Sequence, residues 1–206
     1  MIMTYFSLKD INNLEHLYKI NLINSCSGYK SANLIGTKSS SGIENVAIFS
    51  SITHVGSSPP ILGFFCRPTT VTRNTYDNIK NTGVYTINHI HKSNFKDAHH
   101  TSAKYNSNIS EFDKTSLKAE YKANFHAPFV KHSPVQIAMK FINEYLIKEN
   151  ETILILGEIQ GLYINNSLIT EDGFVNLSKA NIATINSLDG YAFPKLEERL
   201  AYQRPK

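Results

Sequence analysis

The 206-residue chain predicts a mainly β protein, an antiparallel barrel carrying a few short peripheral helices. Three observations point there. About seven segments have the length and the β-branched or aromatic content of strands, and clusters of Gly, Pro, Ser and Asn separate them. The connections are of hairpin type, as at Ser39-Ser40-Ser41-Gly42. The strands do not alternate regularly with long helices, as a doubly wound parallel sheet requires. The length suits one domain, residues 1–206, large enough to bury a core without disulfides.

Taken in order, residues 10–20 (DINNLEHLYKI) carry apolar residues at helical spacing and read as a short leading helix. Ala32–Thr37 is the first strand, the Ser39–Gly42 run its turn and Asn45–Ser50 its hairpin partner. Ser57-Ser58-Pro59-Pro60 breaks the chain. Ile61–Cys66 (ILGFFC) is apolar throughout, the pattern of a strand buried on both faces. A helix follows from Asn74 to Asn81, closed by Gly83. Val84–Ile90 reads as a strand, 94–105 as a helix and 106–133 as irregular. Gln136–Leu146 and Thr152–Ile164 are two long strands, with Gly157 and Gly161 placed for bulges. Ala180–Ile185 is a last strand, and the charged tail 195–206 lies on the surface.

Composition removes several classes. No stretch approaches about 18 consecutive apolar residues, so no membrane-spanning helix is expected. The first ten residues lack a basic stretch followed by an apolar one, so no secretory signal is expected either. Cys26 and Cys66 form no CxxC pair and read as two reduced, cytoplasmic thiols, one of them buried in a strand. The net charge of +4 comes from 17 lysines and only four arginines, Arg67, Arg73, Arg199 and Arg204. Nucleic-acid readers cluster their basic residues and favour arginine, so no nucleic-acid partner is expected. Neither GxGxxG after a strand nor GxxxxGK[ST] is present.

The chemistry concentrates in Cys66–Gly83 (CRPTTVTRNTYDNIKNTG), which leaves a strand, crosses a loop and enters a helix. A helix N-terminus offers unpaired N–H groups and partial positive charge. Threonine hydroxyls and a guanidinium added there suit a phosphate. Ordinary capping by Thr72 or Asn74, with Asp77 in the first turn, explains the same threonines but not Arg73. Both readings stay open on these residues alone. Asn45–Ile52 (NVAIFSSI) ends a buried-looking strand in small polar residues, which fits either a flat heterocycle or a plain Ser-Ser turn. His89, His91, His99 and His100 fall within twelve residues. Adjacent His99 and His100 diverge by about 100° on a helix, and no acidic or cysteine ligands join them, so no metal is expected. No Ser–His–Asp order, catalytic carboxylate pair or HExxH stands out.

Together these segments resemble the flavin reductase-like family of FMN-binding split barrels. The landmarks run from GYKSANLIGT (28–37), NVAIFSS (45–51) and SSPPILGFFCRP (57–68) to RNTYDNI (73–79). They continue through YTINH (85–89), AHHTSAKY (98–105), SEF (110–112) and LDGYA (188–192), so the likeness covers about residues 17–205. The resemblance implies a split, six-stranded antiparallel Greek-key β-barrel, usually a homodimer with FMN near the interface. It assigns Arg73, Asn74 and Thr75 to the FMN phosphate, sets Phe49, Ser50, Ser51 and Ile52 along the isoalloxazine, and counts Asn45 among the cofactor-binding residues. Cys66, Arg67 and Thr70 would line the phosphate and ribityl side, His89 and His99 would neighbour flavin or nicotinamide, and Tyr191 would close the site. The sequence departs from the family pattern at His100 and Asp189-Gly190.

The implied activity is that of an oxidoreductase whose flavin does the chemistry, with no catalytic side chain of its own. NADH or NADPH would pass a hydride to flavin N5, and the electrons would go on to free flavin, oxygen, or another small-molecule or protein acceptor. Negative charge built at N1/O2 calls for hydrogen-bond donors, for which Ser51 and nearby backbone N–H groups are candidates. Two alternatives are an FMN electron carrier without direct NAD(P)H oxidation and a single-stranded nucleic-acid-binding barrel.

Overall fold

The structure is a computed structural model describing residues 2–205. A helical arm leads the chain. Ser7 and Asp10 form a capping box on α1 (Leu8–Asn13), and the Glu15 carboxylate caps α2 (His16–Cys26). The single helix expected over 10–20 is thus two. Glu15 leaves helical geometry and accepts the N–H groups of Leu17 and Tyr18, which starts a new helix. Neither helix buries a single residue.

β1 (Lys30–Ser31) and β2 (Asn33–Lys38) follow, and the chain returns as β3 (Glu44–Phe49). β4 (Thr53–Ser57) and β5 (Pro60–Cys66) form the next hairpin. The sequence assigns no strand to β4, because an exposed edge strand needs no apolar alternation to pair with its neighbour. α3 (Asn74–Thr82) ends at Gly83, whose φ of 73° lets its N–H reach the Ile79 carbonyl. β6 (Val84–His89) leads to α4 (Phe95–His100), which is shorter than the expected 94–105. Thr101 turns its hydroxyl back onto the Ala98 carbonyl there, and the helix stops.

The 106–133 segment is more ordered than expected. It contains a 3-10 turn at Glu111–Asp113 and a small ladder of β7 (Ala119–Glu120) with β8 (Phe129–Val130). β9 (Val135–Ile147) and β10 (Thr152–Ile164) are the long pair, with register shifts at Gly157 and Gly161. The last expected strand moves downstream. Leu177–Ala180 winds into a 3-10 turn, and β11 (Thr184–Asn186) then pairs with β1 and with β12 (Gly190–Ala192).

The main sheet has seven antiparallel strands in the order β3-β2-β6-β9-β10-β5-β4, one more than the resemblance implies. β3 and β4 adjoin in sequence yet lie at opposite ends of that ladder, and no ladder joins them among the described residues. That is the open side of the split barrel. Ile35, Phe64, Tyr85, Ile87, Met139 and Ile155 fill the interior. A second cluster, with Leu34, Val46 and Ile90, packs on the other face of β2 and β3 beneath α4 and Phe112. β5 is not buried on both faces: Phe64 is inside, while Phe65 points outward at 44% exposure. An unbroken apolar run carries no period by which to tell these apart.

Candidate functional site

Three structural features hold most of the nominated residues. The first is the start of α3. Arg73 occupies the N-cap and no side chain caps the helix, so neither Thr72 nor Asn74 plays the capping role that the sequence allowed. The Arg73 Nε donates to the Pro68 carbonyl at 3.3 Å, which folds the 67–73 loop under the guanidinium. An uncapped helix start beside a guanidinium is an anion-compatible environment. Asp77 lies in the first turn, as the sequence reading has it. Arg67 and Thr70 are exposed on the loop, whereas Cys66 is buried at the end of β5. Burial raises the Cys66 thiol above its ordinary range, against a smaller opposing pull from Arg73.

Thr75 and Asn45 are spent on the fold. Asn45 donates to Thr75 Oγ1 at 3.0 Å and to Thr37 Oγ1 at 3.3 Å, and Asn78 donates to the same Thr37 oxygen at 3.0 Å. These buried bonds dock α3 onto β2 and β3. Asn45 and Asn74 border a cavity of about 310 Å³ that also contains Glu44 and Asp77.

The second feature is a wider cleft of about 650 Å³, lined by Ser50, Ser51, Ile52, Thr53 and Phe65 on one side and by the Asn24–Ser31 end of the arm on the other. Ser51 Oγ donates to the Phe65 carbonyl at 3.2 Å and accepts the Phe65 N–H at 3.0 Å. Its hydroxyl is therefore committed to β5, a correction to its nomination as a donor for a ligand. Ser50, Ser51 and Ile52 lie between β3 and β4, outside both ladders, and line the cleft.

The third feature lies inside. Register places Phe49, Asn33 and His89 side by side across β3, β2 and β6. Asn33 is fully buried with neither amide atom hydrogen-bonded, and His89 Nδ1 has no partner. Burial pushes the His89 pKa down to about 4, so the ring is neutral near pH 7. Sequence reasoning missed Asn33, because only the strand register shows that it faces Phe49 and His89.

His99 and Tyr191 meet elsewhere, on the outer side of β2 and β3. His99 Nδ1 and the Tyr191 hydroxyl are 3.0 Å apart, and Tyr191 packs on Phe95. Burial lifts the Tyr191 pKa to about 12. The nominated residues thus fall into four groups: the α3 start, the wide cleft, the inner row and this outer pair. Among the described residues, no three His, Cys, Asp or Glu side chains gather as metal ligands, and no helix is long and apolar enough to cross a membrane.

A family model described as "Flavin reductase like domain" matches residues 28–178. The chain is similar to a split-barrel protein from Shewanella frigidimarina assigned as a flavin reductase. The two are 40% identical with a TM-score of 0.94, covering 98% of this chain and 100% of the other. The fold also matches nitrilotriacetate monooxygenase component B from Bacillus cereus at 16% identity and a TM-score of 0.83, covering 97% and 100% of the two chains. Flavoredoxin of Desulfovibrio vulgaris matches at 21% identity and a TM-score of 0.71, covering 84% and 90%.

Proposed function

The chain belongs to the flavin reductase-like family, and from that premise we propose that it is an FMN-dependent oxidoreductase that takes electrons from NADH or NADPH and passes them to a flavin or another acceptor. The observation that carries the reading is the pairing of an uncapped, arginine-bearing helix start with a wide cleft lined by the Ser50–Ile52 segment between β3 and β4. The residues fit the group. Arg73 and the first N–H groups of α3, with Arg67 and Thr70 on the same loop, hold the phosphate. Ser50, Ser51 and Ile52 present backbone donors to the isoalloxazine, and Phe65 supplies an apolar wall.

When bound, FMN supplies hydride acceptance at N5 and onward electron transfer. The protein's own work is to bind the phosphate, orient the ring, and set hydrogen-bond donors where reduction builds charge. Ser51 acts by pinning the 50–52 turn to β5, which fixes the direction of those donors. His89, held neutral, adds no charge to the inner row, and His99 with Tyr191 forms a hydrogen-bonded pair at the periphery. The whole chain acts as one domain, as a homodimer.

An absorbance spectrum tests the reading directly. The purified protein is expected to be yellow, to release FMN on denaturation and to bleach anaerobically on addition of NADH or NADPH. Colour that persists with both donors refutes the reductase assignment and favours an electron carrier reduced by another protein.

A further inference from the structure

Among the described residues that line the wide cleft, Lys30 is the single cation, and no aspartate or glutamate accompanies it. Local structure fixes this side chain. α2 ends at Cys26, Ser27 follows as its C-cap, and Gly28 takes a φ of 81°, a conformation that glycine adopts without a Cβ clash. Lys30 then enters β1, where its backbone pairs with Ile185 of β11. From that anchored position the Lys30 ammonium reaches back to the end of α2, donating to the Asn24 carbonyl at 2.9 Å and to Ser27 Oγ at 2.7 Å. An ammonium has three N–H donors. The third finds no acceptor among the described residues, and no carboxylate there forms an ion pair with Lys30.

Two bonds to a helix end are what a C-terminal cap would make, since a cation there answers the negative end of the helix dipole. Capping accounts for two donors. It does not account for an unpaired, partly buried charge at a cleft whose other lip is Ser50–Thr53 and Phe65. Ser51 Oγ is already spent on β5. Lys30 is therefore the charged donor that the cleft offers to a ligand. A cation held at two points loses little freedom on binding, and it favours whichever state of a ligand carries more negative charge.

We propose that Lys30 answers the negative charge that reduction builds on the isoalloxazine, and so raises the affinity of the cleft for reduced flavin over oxidised flavin. A hydride delivered to the ring brings two electrons and one proton, and hence one net negative charge. Lys30 meets that charge as a counter-ion and transfers no proton. This role rests on the flavin reading above. It is distinct from phosphate binding, because the phosphate carries the same charge whichever the redox state of the ring.

Apoprotein of the full-length chain is to be titrated anaerobically with oxidised FMN and with dithionite-reduced FMN, for wild type, Lys30→Met and Lys30→Arg. Lys30→Met is expected to lose about tenfold more affinity for reduced than for oxidised FMN, which lowers the two-electron midpoint potential of the bound flavin by about 30 mV. Lys30→Arg is expected to keep most of the wild-type ratio, because the charge stays. Far-UV circular dichroism and thermal midpoints follow α2 in the same proteins. A lowered midpoint with an unchanged ratio reduces Lys30 to a helix cap and overturns the proposal. Equal loss of affinity for both redox states overturns it as well, by placing Lys30 on the phosphate. A wild type that binds FMN in neither state removes the flavin reading and this role with it, whereas FMN binding with a ratio indifferent to Lys30→Met removes this role alone.

Discussion

Arg73 and His89 show how much a single side chain's surroundings decide. Arg73 is legible in the sequence as a cation where a helix begins, an unfavourable place unless an anion answers it. The structure removes the competing explanation, since no side chain caps α3. Arg73→Ala is expected to weaken FMN binding at least tenfold while leaving the thermal midpoint within a few degrees. Arg73→Lys should recover only part of the loss, because a point charge cannot grip two oxygens. Fluorescence titration of apoprotein with FMN checks both, and equal affinities across the three proteins would remove Arg73 from the phosphate site. His89 leads to a pH dependence. Its folded pKa of about 4 lies below the ordinary 6.5, so the unfolded chain takes up the proton first. Stability from this group is complete above pH 6.5, falls as the pH drops toward 4, and levels below that. The slope contributed is at most about 1.4 kcal/mol per pH unit. Urea unfolding of wild type and His89→Leu between pH 7 and 4 should show the smaller slope in the variant. The sequence shows that a histidine is present at 89, but its burial beside Asn33 depends on register with a strand more than fifty residues earlier.

At the scale of elements, glycine placement was readable and the energetic reason for it was not. Gly157 reads as a bulge from sequence, and a register shift occurs there. The structure adds that a Cβ at 157 would overlap the Tyr85 hydroxyl, a buried group with no hydrogen-bond partner. Gly157→Ala is therefore expected to cost about 3 kcal/mol through overpacking. Tyr85→Phe alone should be neutral or stabilising by up to about 1 kcal/mol, since it deletes an unpaired buried hydroxyl. The double variant should recover much of the Gly157→Ala loss, and additive losses in denaturant midpoints would contradict this account. Edge protection was invisible beforehand. The buried Glu111 carboxylate accepts the Val46 N–H at 3.0 Å on the open side of β3, and burial raises its pKa. That contact joins residues 65 positions apart, and no local pattern encodes it. β4 escaped notice for the opposite reason: its pairing is all backbone, with an exposed surface that shows no hydrophobic signature.

For the whole molecule, the long strands, the bulges and the arginine-bearing start of α3 were legible, because each rests on local periodicity, turn chemistry or helix-end electrostatics. The grouping of the candidate residues was not, because which of them share a strand row or a cleft depends on the sheet order β3-β2-β6-β9-β10-β5-β4. The fold gives the two cysteines opposite fates. Cys26 is exposed at the end of the arm, and Cys66 is buried on β5 next to Phe65. A thiol reagent therefore meets one fast site and one site that reacts only when β5 parts from its neighbours. Slow labelling of Cys66 becomes a stopwatch for opening of the strand that walls the cleft, and its slowing on adding FMN measures how strongly the ligand clamps that strand. The native chain carries this reporter without any engineered probe.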